Sequence, residues 1–399
     1  MPQDSGVDWH PAGARPHGLR DFNARLVLSM LRARGPLAAA EVARLTGLSA
    51  QTVSVIARDL EADGLVRRGE PVRGRVGKPS RPLVLDPTGA YSIGLRIGRR
   101  SVDVALVDLT GHVIDQRSQS YSFPRPEPLL EFTAEAVETL RADLPADRRD
   151  RLVGLGIGAP FELWNWLEAV GAPKEDMAAW KDYDFADACA QRTGLDVLQA
   201  NDATLACYAE HLFSGVPGRA DFGYFYVGAF IGGGIVTEGR VRTGASGNAG
   251  AFGPIPIDIR PDGQPRQLIE EASIYLLERR LAAAGLDPQL LRRPGDAAWE
   301  GFDEVLSDWL DDTARALAIG AIAITAIMDL PVLVVDGRFP EHVRHDLARR
   351  TAEALGRLDA PGLVLPRIEA GRMGRLAGAV GAAYMPLAAT HMIPQDGLA

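Results

Sequence analysis

Apolar positions in the first ninety residues fall into short helical runs followed by two strand-like runs. Within residues 21–34, DFNARLVLSMLRAR, Leu26, Leu28, Met30 and Leu31 mark one helical face, and Gly35-Pro36 stops it. In the next stretch, AAAEVARLTGLSAQTVSVIARDLEADGLV, Val42 and Leu45 predict the inward face of a short second helix. Gly47 stands where a tight turn between helices needs a positive φ, and Leu48 plugs that turn. Ser49 is placed to cap a third helix, its hydroxyl accepting an orphan backbone N–H. Val53, Ile56 and Leu60 then repeat at i, i+3 and i+7 and predict a buried face. Leu65-Val66 and Leu83-Val84-Leu85 read as two strands.

From residue 90 the texture changes. YSIGLRIGRRSVDVALVDLTGHVIDQRS predicts three strands, joined by tight turns at Gly98-Arg99-Arg100 and Leu109-Thr110-Gly111. A helix around Leu129–Arg141, a buried strand Leu152–Ile157, a helix of about Phe185–Arg192 and a short strand Val197–Gln199 follow. Another helix starts after Asn201-Asp202. The second half repeats the plan. Strand Phe222–Val227 enters a glycine-rich stretch ending at Gly234, and strand-like IVTEGRVR follows. Strands Val332–Asp336 and Leu363–Leu365 alternate with helices over roughly Leu268–Ala283, Phe302–Met328, Glu341–Leu355 and Gly374–Leu387. The expected architecture is α/β: an N-terminal helix-turn-helix domain over 18–87, then two mixed lobes around a cleft over 90–387, split at about 200 and 201.

Composition narrows the function classes. Of 399 residues, 46% are hydrophobic and 24% charged, as in ordinary globular chains. Two cysteines, Cys189 and Cys207, build neither a disulfide framework nor a Cys-rich zinc module. Residues 1–18 hold no apolar core, so no signal peptide is expected. The longest apolar run, Ala316–Met328, falls short of the ~20 residues that span a bilayer. A cytoplasmic location without membrane contact is the expectation. The net charge of −9 hides an asymmetry. Residues 15–85 carry 13 Arg and Lys against six Asp and Glu, whereas residues beyond 90 carry 30 against 43. A basic head on an acidic body suggests that the head alone meets a polyanion, with ordinary surface variation as the alternative.

That polyanion is expected to be double-stranded DNA. A helix, a glycine-bearing turn and a Ser-capped helix form a helix-turn-helix, whose second helix enters the major groove N-terminus first. Its free face offers Ser49, Gln51, Thr52, Ser54 and Arg58. Gln pairs bidentately with adenine, and Ser or Thr with several bases. Between the two strands, RRGEPVRGRVGKPSRP forms a basic wing whose Arg73, Arg75, Lys78 and Arg81 suit phosphates or a minor groove. The alternatives are a three-helix module for protein contacts and a solvated Arg-rich loop.

Residues 18–387 resemble the ROK family of repressors, uncharacterised reading frames and sugar kinases. The matching stretches are GLSAQTVS, IGRRSVDVALVD, GLGIGAP, QANDATLACYAE, IGGGIVTEGRVRTGASGNAGAFG and GRLAGAVGAAY. The resemblance implies a two-lobed actin/hexokinase-like body and, because the family's pure kinases lack the head, the regulator branch. It matches the family's catalytic Asn-Asp pair to Asn201-Asp202, leaving Asp202 as a remnant base. The phosphate turns depart from the kinase pattern. Arg96-Ile97-Gly98-Arg99-Arg100 places Arg96 where the kinases carry an acidic residue, and Ala229-Phe230 replaces Thr-Gly. Ala251 and Pro254 replace the Glu and His of the sugar- and zinc-binding stretch, so neither a metal nor a cofactor is expected.

The expected ligand is a small sugar-like effector. Asn201, Asp202, Glu162, Trp164, Trp166, Asp176, Gly232 and Gly233 are its candidate contacts, and Trp180 completes the family's Asn-x-x-x-Trp segment, here Asp176 to Trp180. Bland readings stand beside these: tryptophans that pack lobes or a dimer contact, a Gly-Gly-Gly tight turn, and Asp202 as a helix cap. The expected function is a regulator of carbohydrate metabolism, a repressor, acting as a homodimer or homotetramer on an inverted-repeat operator. An active ATP-dependent sugar kinase fused to a DNA-binding head is the rival reading, and a body that binds a partner protein is another.

Overall fold

A computed structural model describes residues 16–71, 81–160, 177–216, 219–293 and 295–393. The chain divides into two compact units. One comprises the N-terminal segment up to Gly89 together with Ala389–Ile393, and the other spans Ala90–Ala388.

In the first unit, α1 (Pro16–Arg34), α2 (Ala39–Thr46) and α3 (Ala50–Ala62) pack around Val27, Leu28, Leu31, Val42, Val53, Ile56 and Leu60. The buried stripe of α1 is therefore turned from the sequence expectation: Val27 is inside, and Leu26 and Met30 are half-buried. Gly47 ends α2 with φ 73°, where a side chain would be strained. Ser49 caps α3, its Oγ accepting from the Thr52 amide at 3.0 Å. β1 (Val66–Arg68) pairs antiparallel with β2 (Leu83–Leu85), and Leu37 bridges to Leu83. The far C-terminal segment completes this unit. Arg25 Nη1 donates to the Ala389 carbonyl at 3.0 Å, the Ile393 amide donates to Ser29 Oγ at 2.9 Å, and Met392 is buried.

The second unit contains two five-stranded sheets. The first has the order β5-β4-β3-β6-β7, from β3 (Tyr91–Ile97), β4 (Ser101–Asp108), β5 (Val113–Ser120), β6 (Leu152–Ala159) and β7 (Val197–Asn201). β3, β6 and β7 run parallel, and β4 and β5 are antiparallel neighbours. Alternation sorts the faces. Ile93, Leu95 and Ile97 meet α4 (Pro126–Asp143) and α5 (Phe185–Thr193), which share one core with them. Gly94 and Gly156 face the other way, against α10 (Ala377–His391). A Cβ on Gly94 would lie 2.0 Å from the Ala379 carbonyl, and one on Gly156 1.8 Å from that of Ala382, so helix and sheet backbones touch directly.

The second sheet has the order β10-β9-β8-β13-β14, from β8 (Phe222–Val227), β9 (Ile231–Thr237), β10 (Arg240–Arg242), β13 (Val332–Gly337) and β14 (Arg367–Ala370), while β11 (Pro256–Ile259) and β12 (Pro265–Gln267) pair as a separate antiparallel ribbon. Phe225, Val227, Leu333 and Val335 pack on α7 (Ile274–Ala283), α8 (Asp303–Met328) and α9 (Glu341–Leu355). Between the sheets' sequences lies α6 (Asp202–Phe213). Two expectations are corrected. The strand expected at Leu363–Leu365 is Arg367–Ala370, and Val364 is 81% exposed. Pairing with β13, rather than apolarity, chooses the strand. The helix expected from Leu268 is interrupted: Gln267 and Glu270 cap each other around a single turn, and α7 starts at Ile274. Among the described residues, no helix is long and apolar enough to cross a membrane.

Candidate functional site

The head presents a polar helix face. Gln51, Ser54 and Arg58 are exposed along α3, and Thr52 is half-buried beside Ser49. The Ser49 and Thr52 hydroxyls lie 2.8 Å apart, so both belong to the cap as well as to the free surface. Of the basic wing segment, Arg81 is exposed ahead of β2 and Arg67 is exposed on β1. Arg73, Arg75 and Lys78 lie outside the described residues.

In the body, chemistry gathers at the C-terminal ends of the parallel strands, where open α/β sheets hold ligands. Arg96, near the end of β3, points to the Gly94 face and is only 5% exposed. Its Nη2 lies 3.1 Å from Asp202 Oδ2, and its Nη1 3.7 Å from Asp103. The backbone is cut to fit this side chain. A Cβ on Gly98 would stand 2.7 Å from Arg96 Nη1, and one on Gly378 2.6 Å from its Cδ. Tyr121 fastens the turn by donating to the Gly98 and Ser101 carbonyls. Burial works against the Arg96 charge, but Tyr226, Asp202 and Asp103 outweigh it and raise its pKa. Burial likewise pushes the Asp103 carboxyl up, yet Arg338, Arg96 and Arg375 hold it below the usual range. Arg99 is pushed down to about 10 by burial, with Asp202 opposing and Arg96 reinforcing. Its guanidinium lies 4.3 Å from the Phe230 ring centre.

Asn201 and Asp202 divide their labour. Asn201 is the cap of α6, its Oδ1 accepting from the Ala203 and Thr204 amides at 3.0 and 3.1 Å. The helix-cap alternative for Asp202 therefore falls to its neighbour, and Asp202, 9% exposed, is free to meet Arg96. A cavity of about 300 Å³ opens here, lined by Arg96, Asn201, Asp202, Tyr226, Gly232, Gly233 and Asn248 among others. A second cavity of about 140 Å³ adjoins it across Arg96 and Arg99.

The glycines of β9 do close packing. A Cβ on Gly232 would meet Ala203 at 2.7 Å, one on Gly233 would meet Phe252 at 2.4 Å, and one on Gly234 would meet Cys207 at 2.4 Å. All three lie within a strand, Gly232 and Gly234 on the side that admits α6 and Gly233 on the side of Phe252, so the tight-turn reading is replaced by close packing on the strand. Asn248 and Tyr226 were missed by motif reading; the only sequence signals were a glycine-rich context and strand alternation. Trp180 is corrected. It is buried in the first lobe's core, donates Nε1–H to the Pro124 carbonyl at 3.0 Å and packs 5.4 Å from Phe185. Glu162, Trp164, Trp166 and Asp176 lie outside the described residues.

Kinases of this fold need Mg²⁺ beside the phosphates, and the residues here do not fit it. The Arg96 guanidinium lies 3.1 Å from the Asp202 carboxylate, and its charge repels a cation brought beside it. Among the described residues, no group of three or more His, Cys, Asp or Glu side chains is placed to hold a metal. Both cysteines are buried, and burial pushes their thiols up, Cys189 to about 12.

Comparison with known proteins places this geometry in context. The ROK family profile matches residues 92–389, and the MarR family profile matches residues 21–75. An uncharacterized protein of Sinorhizobium fredii, y4fQ, is 28% identical over 91% of this chain and 89% of its own. The xylose repressor of Bacillus subtilis is 22% identical over 60% of this chain, a match spanning 62% of that protein. Among solved structures, a ROK family transcriptional regulator homologous to the E. coli MLC protein superposes with a TM-score of 0.66, at 19% identity, covering 94% of this chain and 97% of that one. A ROK family glucokinase from Streptomyces griseus, in complex with glucose and AMPPNP, superposes with a TM-score of 0.59, at 22% identity, covering 74% and 99%.

Proposed function

The chain belongs to the ROK family and is a transcriptional regulator with a winged-helix DNA-binding head; from that premise we propose that it is a repressor whose body senses a sugar-like effector and does not phosphorylate it. The observation that carries this reading is the Arg96–Asp202 ion pair. A kinase needs a carboxylate ready to take the sugar hydroxyl's proton, with a metal close by to neutralise the phosphates. Here the only carboxylate at the family's base position is held at 3.1 Å by a buried guanidinium, and the same cation repels a metal. Polar groups suited to hydroxyls remain around the cavity: the Tyr226 hydroxyl, Asn248 and the free edge of Asp202. On the head, Gln51, Ser54 and Arg58 supply base-edge and phosphate contacts. A homodimer on an inverted repeat follows from two heads reading two half-sites.

Two measurements test the proposal. A coupled assay over hexoses, pentoses and amino sugars with MgATP is expected to show no turnover, and robust turnover that disappears in Asp202→Asn would restore the kinase reading. Selection of bound fragments from the organism's own DNA is expected to yield a palindromic site, for which Gln51→Ala relaxes sequence preference and Arg58→Ala weakens binding. Selected fragments without a common element, or affinity indifferent to both changes, would remove the head from the mechanism.

A further inference from the structure

Asp103 is a fully buried carboxylate outside the pair that carries the sensor reading. It stands on β4 as the cross-strand partner of Arg96 on β3. Val102 and Val104 turn into the first sheet's core, so alternation turns Asp103 to the opposite face, with Arg96. It is 0% exposed, and Ser118 Oγ donates to its Oδ1 at 2.9 Å. A carboxylate so far from water needs a cation to remain ionised. Arg338 donates to its Oδ2 directly, while Arg96 and Arg375 stand 3.7 and 3.8 Å away. Burial alone would push the carboxyl up, but these guanidiniums hold it below the usual range, so it is charged at neutral pH.

The direct partner comes from the other sheet. Arg338 follows β13 in the turn that leads to α9, 235 positions from Asp103 along the chain. That turn is fixed to the second sheet. The Arg338 amide donates to the Val227 carbonyl at 3.1 Å, and a Cβ on Gly337 would stand 2.3 Å from the same oxygen. Asp103 is fixed just as firmly to the first sheet by its ladder partners on β3 and β5. Neither backbone can follow the other, so a parting of the two sheets must break the bridge. The Arg338 side chain is only 14% exposed, and ion pairs in such settings are stronger and less screened by salt than those on a surface. Arg96 is no substitute, because its Nη1 makes no hydrogen bond to Asp103.

We propose that the Arg338–Asp103 bridge is a latch: it holds the half of the body built on the first sheet against the half built on the second with no ligand bound, and so sets the operator affinity of the ligand-free protein. The latch goes beyond the sensor reading and needs no particular ligand, so its failure leaves that reading untouched. A ligand that favours the latched body binds without first having to close it. One that favours the open body must overcome the bridge, and its apparent affinity falls by the fraction of molecules that are open.

The test is double electron–electron resonance on the full chain, between spin labels on Glu138→Cys in α4 and Ala352→Cys in α9. Both positions are exposed, whereas Cys189 and Cys207 are buried, with thiols pushed up, and compete little for the label. The ligand-free protein is expected to give one narrow distance, with little change on adding salt. Arg338→Gln is expected to add a longer population, and Arg338→Lys to keep most of the short one. Ligand-free operator affinity of Arg338→Gln is expected to shift by about 5–150-fold. Arg338→Met keeps the apolar stem and takes its place if circular dichroism finds the Gln variant unfolded. A broad distribution in the ligand-free wild type, or an unchanged one in the folded variant, would overturn the latch. An opened body with wild-type operator affinity would overturn its regulatory part.

Discussion

Arg96 is where a catalytic residue pattern and a binding residue pattern part company. Its charge is buried, so the pair with Asp202 is expected to show the asymmetry of buried ion pairs: removing one partner costs much more than replacing both. Arg96→Met alone or Asp202→Leu alone should each lower the unfolding free energy by about 3–5 kcal/mol, and the double variant should recover most of it. Urea titrations of the four proteins measure this, and additive losses would show that the two side chains do not act as a pair. A second residue, Asp336, titrates in an accessible range. Burial pushes its carboxyl up to about 6, against the pull of Arg344 and the Gly337 and Gly374 amides, with Glu210 adding to the rise. The native state therefore takes this proton at higher pH than the unfolded chain, whose value is near 3.8. Stability from this group must rise as pH falls from about 7 toward 4.5, by up to about 2–3 kcal/mol. Asp103 works in the opposite sense, but its folded value lies below 3.8, outside that window. Denaturation curves at several pH values should show this rise in the wild type and a flatter profile in Asp336→Asn; parallel profiles would place the titration elsewhere.

Elements defined by local chemistry were readable in advance, and elements defined by distant partners were not. The Ser49 cap, the positive φ of Gly47 and the boundaries of α9 all come from residues within one turn of each other, and the structure bears them out. β14 was misplaced because its strand character comes from pairing with β13, while the more apolar Leu363–Leu365 stays outside the sheet. The site was half legible for the same reason. The charge reversal at Arg96 is visible in the motif, but its ion pair with Asp202 joins two elements, β3 and α6, far apart in sequence. Tyr226 carries no motif, and Asn248 lies inside the glycine-rich family stretch without a signal of its own. The backbone contact of α10 with the first sheet leads to a sharp expectation. Gly156→Ala pushes a methyl group into the Ala382 carbonyl, with no flexible side chain to give way. A loss of about 1–3 kcal/mol or more is expected in thermal or urea unfolding, and a neutral result would mean that α10 shifts freely on the sheet.

At the scale of the whole molecule, regulation requires that effector and operator be energetically linked. A cleft ligand changes operator affinity only if it discriminates between body conformations that differ in DNA competence, and such coupling typically amounts to about 5–150-fold. Asn248→Ala removes a cavity-lining amide without disturbing the Arg96–Asp202 pair, so it should weaken the effector response and leave effector-free operator binding intact. A wild-type response in that variant, measured by fluorescence anisotropy on labelled operator, would move the effector elsewhere. The C-terminal end of α10 bears on how such experiments are designed. Ala389–Ile393 belong to the N-terminal unit and are tied to α1 through Arg25 and Ser29. The DNA-binding module is thus discontinuous in sequence, closed by residues that follow the whole body along the chain. A chimera made by exchanging residues 1–89 alone would join a foreign α1 to a tail it was never matched with, and such swaps should carry both segments. During synthesis, too, the head lacks its final strap until the second unit has emerged, which ties completion of the DNA-reading part to completion of the body.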